Sequence, residues 1–191
     1  MTPNQIVTLG WGSLLWDGGY EFDKWHEPWQ FDGPRLKLEF SRISKFRQGA
    51  LTLVIDKDYG VPTTVAHCVS RRSSVELAFE DLRKREGCAR KDIGYFARDA
   101  APVYRDKNSF DEIATWAITK RIDLVIWTDL KSNFAEKCGK EFSVGNALTY
   151  LNMLPAEPQA KANQYLKNAP EFVDTPLRRA WREQTAIDNS Y

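Results

Sequence analysis

Polar and apolar residues alternate over 35–44 (RLKLEFSRIS), with Leu36, Leu38 and Phe40 on one side at period two, which predicts a half-buried strand. Shorter apolar runs predict further strands at 5–9 (QIVTL), 50–56 (ALTLVID), 63–70 (TTVAHCVS), 92–97 (DIGYFA) and 123–130 (DLVIWTDL). The last reads as a central strand because its apolar run is almost unbroken, and Asp58–Pro62 supplies a turn between the third and fourth. The period then changes. Val75, Ala78, Phe79 and Leu82 recur at helical spacing, with Ser73 and Glu76 as a capping box and Gly87 as the stop. Ser109 and Glu112 mark a second helix, and from Ser143 the pattern is helical over 144–153, 158–167 and 175–187, between proline-bearing breaks.

Strands lead, strands and helices then mix, and helices close the chain, which is the order of an α+β protein. The expected architecture is a small mixed, barrel-like sheet with surrounding helices. Residues 1–135 form its core, and 136–191 form a helical extension packed on the same domain. Strict βα alternation is absent, which argues against a doubly wound fold.

Charge narrows the function classes. The 191 residues carry 27 basic and 26 acidic side chains, closely interspersed, for a net charge of +1. Such a surface has no field to draw nucleic acid or an anionic membrane. Three cysteines, Cys68, Cys88 and Cys138, are too few and too scattered for a disulfide framework, which points to a reducing compartment. The start MTPNQIVTLGWGSLLWD lacks the basic and apolar regions of a signal peptide, and no apolar run nears the roughly 18 residues of a membrane span. The expectation is a cytoplasmic protein. Aromatic residues are plentiful and gather at Tyr20, Phe22, Trp25, His26, Trp29 and Phe31, in the loop from Asp17 to Pro34. Such a cluster walls a ligand or, more commonly, anchors a long loop to the core.

Several familiar motifs fail on spacing. Gly10 and Gly12 begin a G-x-G-x-x-G whose third glycine is replaced by Leu15, and no Walker lysine follows. Ser13 has Trp11 and Leu15 where a nucleophile elbow has glycines. His26 and His67 lie in no metal-ligand spacing, so neither a metal nor a cofactor is expected.

Two features survive. The turn Gly10-Trp11-Gly12-Ser13-Leu14 directly follows a strand, and its glycines permit positive φ, close backbone approach and a nest of N–H groups for an anion. The alternative is a tight structural turn plugged by Trp11. Glu86 continues the stripe Val75, Phe79, Leu82, so it is expected to point inward, without a cation four residues before it. Burial and the helix C-terminus both raise a carboxyl pKa toward the range useful for proton transfer. The alternative pairs Glu86 with Arg83, Arg85 or Arg90 as a helix-end tie. Pairs are also expected between Glu80 and Lys84 and between Asp81 and Arg85. Trp127 and Asp129 end a buried strand and face either a pocket or the core, and Arg71-Arg72 reads as a solvated turn.

The strand–GWGSLLW segment resembles the strand–[YW]GS-L-x-W signature of the γ-glutamylcyclotransferase-like superfamily, including its ChaC branch, and DLRKREG is similar to the segment carrying that family's catalytic glutamate. FSRIS, ALTLVID and VIWTDL resemble its barrel strands, the last most like an uncharacterised bacterial branch. The resemblance covers about two thirds of the chain, with Trp11 at the usual tyrosine, Tyr95 set further from the glutamate than in ChaC proteins, and no counterpart for the C-terminal helices. It implies a barrel fold and cyclisation of a γ-glutamyl amine or peptide to 5-oxoproline. Glu86 would be catalytic, and Gly10, Trp11, Gly12, Ser13, Leu14, Arg42, Tyr95 and Trp127 would line the substrate. A non-catalytic binding or regulatory protein on the same fold is the alternative.

Overall fold

Two sheets organise the chain. The computed structural model describes residues 5–188, so residues 1–4 of the stretch read for a leader lie outside it. The strands are β1 (Ile6–Gly10), β2 (Arg35–Ile43), β3 (Leu51–Ile55), β4 (Val61–Thr64), β5 (Ala66–Val69), β6 (Ile93–Ala97) and β7 (Leu124–Thr128). The helices are α1 (Val75–Glu86), α2 (Lys107–Thr119), α3 (Phe134–Cys138), α4 (Val144–Asn152), α5 (Ala156–Asn168) and α6 (Pro176–Asp188). The fold is mixed α+β, but the expected barrel-like sheet is instead two open sheets, ordered β5-β1-β7-β6 and β3-β2-β4.

The reason is local. The run 63–70, read as one strand, breaks at Val65: its N–H donates to Pro34 and its carbonyl accepts from Gly33. Thr64 and Ala66 therefore fall in different strands, one in each sheet. The chain also divides into two compact units along these lines, one running through Leu36 and then Thr64–Leu130, the other joining Lys37–Thr63 to the chain from Lys131 on. Residues 37–63 thus belong with the C-terminal helices, whereas the sequence reading placed its boundary at residue 135.

In the first unit β1 and β7 are parallel and central, with antiparallel β5 and β6 outside them. Both central strands are almost wholly buried, as strands covered on two faces are. Register fixes the faces. Thr8 pairs with Cys68 and Ile126, and Ile126 pairs with Tyr95. Cys68, Ile126 and Tyr95 pack with Ala78, Phe79 and Leu82 of α1. Leu9 opposite His67, and Gly94 opposite Trp127, fall on the reverse face. There the His67 ring lies 5.0 Å from Trp116 of α2.

α1 starts one turn position later than its capping box predicts. Ser74 is the N-cap and makes no side-chain cap bond, and the Glu76 side chain accepts from Arg90 at 2.6 and 2.9 Å instead of closing a capping box. Val75 is exposed accordingly. Gly87 does end the helix, with φ 59°, and the following N–H groups turn back to Lys84 at 3.3 Å and Arg83 at 3.2 Å. α2 is capped by Asp106, which accepts from the Ser109 N–H at 2.8 Å.

The second unit sets β2 between β3 and β4 and also holds α3–α6; α3, only five residues long, has no clear period in the sequence. Phe40 of β2 meets Tyr165 of α5 edge-on at 6.0 Å. Asn133 pairs its side chain with both the N–H and the carbonyl of Ile43, standing in for a strand neighbour. Arg178 of α6 is 2% exposed and donates to the carbonyls of Leu166, Lys167, Ala169, Pro170 and Val173, closing the end of α5. Among the described residues no helix is long and apolar enough to cross a membrane.

Candidate functional site

The glycine turn forms a short 3₁₀ helix, Gly12–Leu15, at the end of β1. Gly12 takes φ 72°, the left-handed region that glycine enters without strain. Gly10 is required for a different reason: a Cβ there would stand 2.5 Å from the Trp29 ring. The first N–H groups of a 3₁₀ turn have no acceptor within it. The Ser13 carbonyl, by contrast, is heavily used, accepting from the N–H of Asp17 at 2.9 Å and from Arg85 Nη2 at 2.9 Å. Trp11, Gly12, Ser13 and Leu14 are all buried.

Arg85 joins this turn to α1. Its side chain is 4% exposed, and Nη2 also donates to the Asp17 carbonyl at 2.8 Å. The Tyr20 ring lies over the guanidinium, 4.0 Å from the ring centroid to Cζ. The expected i,i+4 pairs are replaced by others. Asp81 holds Arg72 at 2.7 and 3.0 Å, and Glu80 holds Arg83 at 2.9 Å. Arg85 is thereby left to reach across to the turn.

Glu86 follows directly. Its side chain is 21% exposed, and Oε1 lies 3.7 Å from Arg85 Nη1. The buried stripe in the last turn of α1 therefore runs from Leu82 to Arg85, three residues on, rather than to Glu86, four residues on. Glu86 sits at the rim of the buried region, and of the three arginines weighed as its partner Arg85 is the near one. Arg83 and Arg90 are committed to Glu80 and Glu76.

The remaining candidates separate. Tyr95 is half-buried on the α1 face of the sheet, the same side as Gly10 and α1. Trp127 is 1% exposed on the reverse face, its indole laid against Gly94. Arg42 belongs to the second unit, where Nη1 donates to the Lys131 carbonyl at 2.8 Å. Asp129 accepts the Arg105 N–H at 2.7 Å, and burial pushes its carboxyl above the usual range. The structure brings together the turn, Arg85 and Glu86, with Tyr95 on the same sheet face, whereas Trp127 lies on the reverse face.

The aromatic loop anchors to the core. Phe22 is buried against α1 residues, Trp29 covers Gly10, and His26 lies 4.8 Å from Phe22 and 5.2 Å from Trp29. Arg72 is not a solvated turn residue, since it stacks on Trp25 at 3.7 Å and grips Asp81. Cys88, just beyond Glu86, has its thiol pushed up to about 11 by burial, with the Glu86 charge adding to it. Among the described residues no group of three or more His, Cys, Asp or Glu is placed to hold a metal ion.

No protein-family model, no curated protein and no solved structure matches this chain.

The sequence offers Arg85 only as a partner of Glu86 or Asp81 and Tyr20 only as part of the aromatic loop; what it does not show is their contact with each other and of Arg85 with the glycine turn. The signal for Arg85 was present as the i+3 alternative to Glu86 after Leu82. Which of the two turned inward depended on acceptors at Ser13 and Asp17, more than sixty residues away in sequence.

Proposed function

We propose that this chain is a γ-glutamylcyclotransferase-like enzyme that converts a γ-glutamyl amine or peptide to 5-oxoproline and releases the amine. The observation that carries the reading is the join made by Arg85, which bonds to the glycine turn and stands beside Glu86. A partly exposed carboxylate is thereby fixed at the edge of a turn that follows a central strand. Glu86 takes a proton from the substrate's α-ammonium, and the freed amine attacks the γ-carbonyl carbon of the same molecule. The new C–N bond closes the five-membered ring as the bond to the leaving amine breaks; Glu86 returns its proton to that amine, and the second proton shed by the ring nitrogen leaves with the amine as its ammonium. Proximity within one molecule supplies much of the rate, and the scheme calls on no cofactor. The turn N–H groups and Tyr95 are assigned to the substrate side of this site.

The test offers purified protein a panel of γ-glutamyl amines and peptides and measures 5-oxoproline. Glu86→Gln keeps the shape and removes the proton transfer, with an expected loss of about 10²–10⁴-fold in kcat. Undiminished turnover by a folded Glu86→Gln protein overturns the assignment.

One observation favours a second reading, a non-catalytic ligand-binding or regulatory protein. Glu86 Oε1 lies 3.7 Å from Arg85 Nη1, which ties the carboxylate to a cation and suits binding more than proton transfer. Thermal stabilisation by a γ-glutamyl compound without product formation distinguishes it.

A further inference from the structure

Stapling the turn to α1 does not account for all of Arg85. Nη2 is satisfied by the Ser13 and Asp17 carbonyls, yet the Nε atom is buried without a hydrogen-bond acceptor. Buried guanidinium N–H groups are rarely left so, because water is lost and nothing replaces it. An acceptor supplied from outside the chain completes the set. The group covering the guanidinium is the Tyr20 ring, and Tyr20 is 41% exposed. A ligand reaching the guanidinium from that side moves the Tyr20 ring aside.

Charge indicates what that ligand is. Arg85 and Glu86 present a cation and an anion 3.7 Å apart. The head of an α-amino acid carries the opposite pair on one carbon, a carboxylate and an ammonium. We propose that Arg85 is the carboxylate-recognition residue of this site, so that Arg85 and Glu86 together read the zwitterionic head of an α-amino acid. This rests on the reading of the site as a γ-glutamyl site and adds to it. The carboxylate goes to the arginine side chain, which leaves the ammonium facing Glu86, the group that takes its proton. Arg85 is here a specificity residue.

The experiment compares L-γ-glutamylethylamide with its α-carboxamide, which differ only in the carboxylate. Binding is followed on the full chain through the Nε–H resonance of Arg85, assigned by its absence in Arg85→Lys. The expected result is a shift of that resonance with the carboxylate compound alone, and affinity at least about tenfold above that of the carboxamide. Arg85→Gln is expected to bind the two compounds equally. A residue that only staples the turn predicts an unmoved Nε–H resonance in the wild-type chain, and that result, or a carboxylate preference kept by folded Arg85→Gln, overturns the proposal. Equal binding of the two compounds by the wild type also overturns it. The wild-type resonance decides the matter even where Arg85→Gln does not fold. Absence of 5-oxoproline in the same samples counts against the turnover reading alone.

Discussion

Glu39 accepts the backbone N–H of Leu177 through Oε2 at 3.3 Å, while its Oε1 accepts the N–H of Phe40 at 2.7 Å. A fully buried carboxyl in β2 thus meets the first turn of α6. Burial raises it above its ordinary 4.5, against the opposing pull of bonds from Thr175, Phe40 and Leu177.

The sign of the pH dependence follows from linkage. Just above the ordinary value, native Glu39 keeps a proton that the unfolded chain has lost, so unfolding releases it. Stability is expected to fall as pH rises from about 4.5 through the raised value, and to level off beyond it. Urea midpoints from pH 4 to 8 measure this, and Glu39→Gln is expected to flatten the slope. An unchanged slope in that variant means Glu39 does not titrate there.

Asp32 behaves in the opposite sense. Hydrogen bonds from Lys120 and from His67, whose Nε2 is 2.9 Å away, hold its carboxyl down to about 2. The stabilisation is present above the ordinary 3.8 and is lost as pH falls toward 2. Asp32→Asn is therefore expected to melt below the wild type at pH 5 and together with it near pH 2. A gap that persists at low pH contradicts the assignment.

Trp127 fills the space above Gly94, where a Cβ would come within 2.1 Å of the indole. Gly94→Ala is expected to cost about 1–3 kcal/mol by overpacking. Trp127→Leu in the same chain is expected to recover part of that loss, as a double-mutant cycle in urea would show. Strict additivity of the two changes would place the strain elsewhere.

Arg178 binds five carbonyls from within a buried setting. Lysine keeps the charge but cannot span those acceptors. Arg178→Lys is expected to lose about 2–4 kcal/mol of unfolding free energy. A loss under about 0.5 kcal/mol would show that the fan of bonds adds little beyond charge.

Periodicity made much of the fold legible. The alternation at Leu36, Leu38 and Phe40, the stripe through Ala78, Phe79 and Leu82, and the near-continuous Leu124–Trp127 all became the elements they predict. What stayed hidden depended on distant partners. Val65 divides a strand because Gly33 and Pro34 offer hydrogen bonds there. Glu39 sits in an alternating strand as an outward residue would, yet α6 covers it. In the site, Glu86 and the glycine turn were readable as chemistry-bearing types, but the inward residue was Arg85, chosen by the Ser13 and Asp17 carbonyls.

The parallel pairing of β1 with β7 has a consequence for synthesis. Ile6 is synthesised well before its central neighbour Leu124, and the segment 37–63 that intervenes is destined for the other unit. Neither unit is a contiguous stretch of translated chain, so no single cut separates them. Until β7 is made, β1 has no neighbour on that side, and closing the pair carries the loop-closure cost of a long intervening segment.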